Sequence, residues 1–244
     1  MNNVQDNTYL CYNNLKNDKE SGNVMKSNPI RPRDTRLISA LLGFTGGAID
    51  VFCHLQYKTL IATQTGNIVL LISDFRDSHL SSSVLRILSI LFFSIGFLVA
   101  DSLKDHIYSS YWEIHNLIPL FFATCLIPFL PPTPLLIVPL LSFCTGLLMF
   151  TFSDTKIENY PYTIMMTSGN YRKMLTSWYQ FIKGESHFFR QAINYTIIVT
   201  SFIIGAILSA LLEKYIQAIA IWLVSLVLGI IILSLYKSEK EKCL

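Results

Sequence analysis

Thr63-Gln64-Thr65-Gly66-Asn67 decides the reading of this chain, because a close copy returns as Met166-Thr167-Ser168-Gly169-Asn170. Gly66 and Gly169 lie 103 positions apart, and so do Gly43 and Gly146, each 23 residues upstream of its corner. The shared interval points to one unit used twice. Both polar corners sit in apolar surroundings, where irregular backbone is tolerated only if it is buried in protein or lines a cavity. The corners are therefore where the sequence locates function.

Working outward, the 244 residues are 52% hydrophobic and 14% charged, against roughly 25% charged in soluble domains. The apolar residues gather in long runs, which favours membrane spans over a globular core. The formal charge of +3 lies outside those runs and forms no aromatic-interleaved basic patch, so nucleic acid is excluded as a partner. Cys11, Cys53, Cys125, Cys144 and Cys243 show neither a C-x-x-C pair nor metal spacing, and Cys53, Cys125 and Cys144, which fall in apolar runs, read as small buried hydrophobes. No metal and no cofactor is expected.

Residues 1–34 are polar and Asn-rich, with no apolar core for a cleaved signal, and read as a disordered cytoplasmic tail. Lys26, Arg31, Arg33 and Arg36 precede the first apolar run, which places that end inside. The expected fold is an all-α polytopic membrane protein. Six long transmembrane helices are joined by two short Thr-Gly-Asn-broken segments, one per internal repeat. The first membrane repeat covers 35–132, and 133–244 hold the second repeat with a short cytoplasmic C-terminus. Charge counting puts both termini inside and leaves open whether the short segments cross or re-enter. Tyr108, Tyr111, Trp112 and Tyr236, near span ends, read as an aromatic belt. Trp222 reads as a packing residue midway along the last span.

Gly43 through Asp50, followed by Ala62 through Leu71 and, later, Tyr162-Thr163 and Thr167 through Asn170, resembles the YoaK family of bacterial membrane proteins, defined by a domain of unknown function. The resemblance spans roughly residues 36–236. It implies a multi-pass protein of the bacterial inner membrane, and it implies no substrate or catalytic residue. This chain has Leu148-Met149 where the family tends to carry a polar Gln-Asn pair, which implies an altered or partly lost function.

The candidate residues fall into three sets. Gln64, Thr65, Gly66 and Asn67, with Thr167, Ser168, Gly169 and Asn170, are the expected substrate-binding groups. Glycine frees the backbone, Asn brings donors and an acceptor, and helix ends aimed at the midplane suit a ligand. The alternative is that the two asparagines only satisfy freed backbone groups. Asp50 and His54, at i, i+4 in an apolar helix, are the expected proton- or ion-coupling pair, or else a polar pin. Gly43 and Gly47 form a G-x-x-x-G helix-packing pair, which leaves homo-oligomer formation open.

No H-E-x-x-H, G-x-S-x-G or Walker loop is present, so no catalytic residue is assigned and no enzyme is expected. The expected partners are the lipid bilayer and a small solute or ion. The function expected is a transporter or facilitator with its site at the paired Gly-Asn breaks. The alternative is a non-transporting membrane scaffold or assembly protein.

Overall fold

A computed structural model describes residues 31–77, 80–104 and 111–242. The expected tail over 1–30, together with Cys11, Lys26, Tyr108 and Cys243, lies outside the described residues. Residues 31–34, the end of that expected tail, include the 3-10 turn Pro32–Asp34.

Eight helices follow among the described residues: α1 Arg36–Tyr57, α2 Gln64–Asp77, α3 Leu80–Lys104, α4 Trp112–Leu126, α5 Pro134–Thr151, α6 Ser168–Ile182, α7 Phe188–Ile216 and α8 Trp222–Lys242. One small hairpin, β1 Lys156–Ile157 with β2 Tyr160–Pro161, precedes α6. Thr35 caps α1 by accepting from the Ile38 amide, and Lys58 ends it in the left-handed region. Pro134 opens α5, where a missing N–H costs nothing. The last apolar run breaks at Gln217, also left-handed, into the 3-10 turn Gln217–Ile221. Trp222 thus begins the final helix instead of lying midway along it, and its indole donates to the Cys125 carbonyl at 3.1 Å.

Among the described residues, five segments are long and apolar enough to cross a membrane. The last of them, Phe188–Glu241, is 54 residues long and contains both α7 and α8. Exposed apolar side chains such as Ile68, Val69 and Ile72 on α2, and Ile203, Ile204 and Ile207 on α7, give these helices outer faces suited to lipid.

Two close crossings hold the bundle, and four F-x-x-G sequences make them. Phe44 and Gly47 of α1 meet Phe202 and Gly205 of α7, while Phe93 and Gly96 of α3 meet Phe143 and Gly146 of α5. A Cβ added at Gly47 would lie 2.0 Å from the Phe202 carbonyl oxygen, and one at Gly205 2.2 Å from that of Phe44. The second crossing repeats this, at 2.1 Å for Gly96 on Phe143 and 2.2 Å for Gly146 on Phe93. No side chain fits at any of the four, which is how backbones reach contact in a bundle with little hydrophobic drive between helices. Packing thus matches Gly146 to Gly47, not to Gly43, which sits one turn earlier against Ile198.

α1 and α7 run parallel. Arg36 Nε bonds Asn194 Oδ1 at 2.8 Å near one end, and Gln56 Nε2 bonds Glu213 Oε1 at 2.9 Å near the other. α3 and α5 are parallel too, with Ser89 on Ser142 at 2.9 Å and the Phe97 and Phe150 rings 5.2 Å apart further along.

Candidate functional site

Each short helix is preceded by an irregular corner, and the two corners are built alike. Asn67 Oδ1 accepts from the Leu60 amide at 2.9 Å while its Nδ2 donates to the Leu60 carbonyl at 2.6 Å. Asn170 does the same to Thr163, at 3.1 and 2.7 Å, again seven residues back. A side-chain amide thereby replaces a strand neighbour for one backbone residue, satisfying groups that are costly when buried and unpaired. Asn67 Nδ2 also reaches Gln64 Oε1 and Ser89 Oγ, and Asn170 Nδ2 the Met166 carbonyl. Both asparagines are fully buried. Their polar atoms are engaged within their own surroundings.

The chain around the first corner folds back on itself. Arg86 of α3 donates to the Lys58 carbonyl, just past α1, and also to Leu70 O and the Asp74 carboxylate near the end of α2. One guanidinium therefore holds both limbs of the segment at the same level. Between them the chain dips to Asp50, seven residues inside α1 and about 10 Å from its end. There Asp50 Oδ1 accepts the Ile61 and Ala62 amides at 2.8 and 2.6 Å, and Oδ2 the Thr63 hydroxyl at 2.5 Å.

The second segment does the same from the other end of α1. Glu158, in the hairpin turn, pairs with Arg36 and Arg190 and accepts from Asn194. The Asp34 carbonyl accepts from the Glu158 amide at 2.8 Å. From this level the chain runs inward past Pro161, whose carbonyl takes the Tyr195 hydroxyl, to Met165. A Cβ added at Gly46 would sit 2.4 Å from the Met165 Cα. α6 then returns to where α7 begins, with Trp178 Nε1 on Thr196 and the Phe181 and Phe189 rings 5.0 Å apart. Outside the apolar helices, hydrogen bonds from Arg190 chiefly, then Asn194 and the nearby Arg36 charge, hold the Glu158 carboxyl down to about 2.

The two corners thus reach α1 from opposite ends and touch it at Gly46 and Asp50, one turn apart on the same face. The N-termini of α2 and α6, each with its partial positive charge, lie at this depth. Of the residues marked from sequence, Gln64, Asn67 and Asp50 share the first corner, where Gln64 Nε2 bonds the Ile61 carbonyl at 2.7 Å. Thr65 is exposed and Gly66 half-buried. At the second, Ser168 and Gly169 are exposed, and Thr167 Oγ1 has neither accessible surface nor a hydrogen-bond partner. His54 is half-buried, its Nδ1 is unpartnered, and no bond joins it to Asp50. Gly43 and Gly47 lie against α7.

Gly46, Arg86, Ser89, Met165 and Tyr195 make contacts at these corners that the sequence alone does not assign. Arg86, a charge inside an apolar run, is the one visible signal among them. Among the described residues, no group of three His, Cys, Asp or Glu could hold a metal ion.

Compared with known proteins, the chain matches the family described as protein of unknown function (DUF1275) over residues 38–234. The resemblance to the YoaK family is compatible with that match. No curated protein and no solved structure matches the chain. The match covers both corners and all but the ends of the helical bundle, so the chain belongs to the DUF1275 family of proteins of unknown function.

Proposed function

We propose that this protein is a membrane facilitator or transporter of a small solute, built from two halves of opposite orientation. The supporting observation is that two broken segments, entering from opposite ends of the bundle, deliver two helix N-termini to adjacent turns of α1. Irregular backbone brought to mid-depth from both sides is the arrangement that transporter folds use to hold a solute between half-helices.

Matching contacts support the duplication. Ser89 on Ser142, Phe93 and Phe97 on Gly146, and Phe143 on Gly96 in one crossing correspond to Ile198 on Gly43, Phe202 and Ala206 on Gly47, and Phe44 on Gly205 in the other. A step of 99 residues relates α1 to α5, 103 relates the corners, and 109 relates α3 to α7. In this scheme α2 and α6 re-enter, six helices cross, and the protein lies in a bacterial inner membrane with both termini inside. Asp50 anchors the first corner through three accepted hydrogen bonds, and a coupling role for it with His54 would have to work alongside them. No enzymatic chemistry is proposed.

A cysteine-free protein with Ser81→Cys or Ser186→Cys tests the orientation. Thiol labelling of the Ser81→Cys protein from outside and of the Ser186→Cys protein from inside is expected, and labelling of both from one side would refute the inverted halves. Liposome uptake of urea, glycerol, formate and acetate tests the transport.

The second reading is a scaffold, favoured by one observation: both asparagines spend their hydrogen bonds within the protein. It expects no flux of any of these solutes, with membrane insertion intact.

A further inference from the structure

The two corners share the asparagine clasp but differ in backbone at Met165, which is left-handed where Ala62 is not, and in what fills them. In the first, the consecutive amides of Ile61 and Ala62 converge on one oxygen of the Asp50 carboxylate, and the Thr63 hydroxyl donates to the other. The 103-residue step places Ile164 and Met165 at the same two positions, and these are buried, at 2% and 0% exposure. Among the described residues no acceptor bonds either of their amides. The helix register that relates α1 to α5 puts Met149 where Asp50 stands, and a thioether offers no acceptor of comparable strength.

Buried amides without a partner are uncommon, and each one calls for an explanation. Nearby lie a hydroxyl donor, a helix N-terminus and an arginine. The Thr167 hydroxyl, one residue beyond the position matching Thr63, has no partner and no accessible surface. The N-terminus of the 15-residue α6 begins at Ser168. Arg172, a turn further on, is exposed and makes no hydrogen bond or ion pair with any described residue. Thr163, Ser168 and Gly169 are exposed at the rim, and a Cβ added at Gly169 would meet only Thr163 Oγ1, at 4.0 Å. The two amides and the Thr167 hydroxyl lie buried beneath this rim, which must part for a ligand to reach them. An arginine on an outer helix face at this depth is costly unless it meets water or an anion.

We propose that the second corner binds the carboxylate of an external solute, taken up by the Ile164 and Met165 amides, the Thr167 hydroxyl and Arg172. The solute's carboxylate stands in for the one that Asp50 supplies to the first corner. Two amides on one oxygen and a hydroxyl on the other is the set of donors the chain already uses for this group. Arg172 then neutralises the charge of the bound carboxylate. This deepens the transport reading by naming its substrate class, although binding itself does not depend on transport.

The test uses the full chain purified in detergent, with sodium formate as probe and sodium chloride at equal ionic strength as control. A saturable rise in melting temperature with formate is expected, since a ligand bound only by the folded state stabilises it. Thr167→Val and Arg172→Gln should each weaken formate binding by about tenfold or more, the scale of one lost charge-assisted hydrogen bond. Lys183→Gln, at an exposed lysine just past α6, should change nothing. Met149→Asp should raise the melting temperature without formate and abolish the response to it, because the corner would then hold its own carboxylate. Should Met149→Asp fail to fold, the other two variants decide. No saturable rise, an equal rise with chloride, or an undiminished rise in both Thr167→Val and Arg172→Gln would overturn the site. Formate binding without liposome uptake would leave the site standing and remove transport alone.

Discussion

Gly46 meets Met165 backbone to backbone, so closely that a Cβ at position 46 would lie 2.4 Å from the Met165 Cα and 2.6 Å from its carbonyl oxygen. Met165 is itself in the left-handed region, at φ 52°, a conformation that strains a residue with a long side chain. The second corner is therefore wedged against α1, and nothing flexible stands between them to give way.

Gly46→Ala should accordingly destabilise the protein. Helix propensity favours alanine by about 1 kcal/mol, but overpacking a rigid contact costs about 1–3 kcal/mol. The clash is with backbone, so it wins. Melting in detergent should show a fall of roughly 2–4 °C for each net kcal/mol lost. Gly169→Ala, on a helix with open space around it, should leave the melting temperature unchanged or higher. Equal effects at both positions would mean that corner and helix are not in fixed contact.

Asn67 and Ser89 should act as a coupled pair. Both donate to the Leu60 carbonyl, at 2.6 and 2.9 Å, so either alone leaves that oxygen paired. Asn67→Ala also strips the Leu60 amide of its acceptor, and a buried unpaired group costs about 1–3 kcal/mol. Ser89→Ala by itself should cost less. The double variant leaves the carbonyl bare and should lose more than the sum of the two, by an interaction of about 0.5–3 kcal/mol in a double-mutant cycle. Strict additivity would show that the two side chains do not share this oxygen.

Asp50 separates anchoring from coupling. Asn at this position keeps an oxygen for the Ile61 and Ala62 amides and an amide group that the Thr63 hydroxyl can accept from, whereas Ala removes every partner. Asp50→Ala should therefore lower the melting temperature well below that of Asp50→Asn, leaving two buried amides unpaired at about 1–3 kcal/mol each. If the carboxylate only anchors, Asp50→Asn should retain solute uptake with an unaltered pH profile. A shifted or abolished pH dependence in Asp50→Asn, at normal stability, would establish a proton-coupling role instead.

These relationships show what the sequence made legible and what it hid. Apolar runs located the helices, and the duplicated Gly-Asn pattern located both corners, since a polar break in an apolar stretch is a local signal. Spacing alone joined Asp50 to His54, four residues on, because helical periodicity is the one geometry a sequence displays. The partners of Asp50 are instead Ile61, Ala62 and Thr63, brought back by a fold-back that no periodic pattern announces. The F-x-x-G sequences were equally visible, yet each is two common residues, and only the reciprocal crossings give them meaning. α2 begins only at Gln64, because residues 59–63 form the corner; their apolar character reflects burial, not helix.

Glu158 gives the fold a pH dependence of defined sign. Its carboxyl is held at about 2 in the folded protein against an ordinary value of 4.5, first by hydrogen bonding from Arg190, then by Asn194 and the charge of Arg36. Between those values the unfolded chain binds the extra proton, so the contribution to stability is fully present above about pH 4.5 and is lost as pH falls through about 2. Glu158→Gln removes the charge but keeps an oxygen for Arg190. The difference in melting temperature between the unaltered protein and Glu158→Gln should therefore be constant above about pH 5 and shrink steadily below it. The other acids in this network, Asp34, Asp154 and Glu113, pair with Arg31 and Arg33 and are common to both proteins, so the comparison isolates Glu158. A difference that stayed constant down to about pH 2, or grew as the pH fell, would mean that the hairpin turn is not tied to α1 and α7 through this carboxylate.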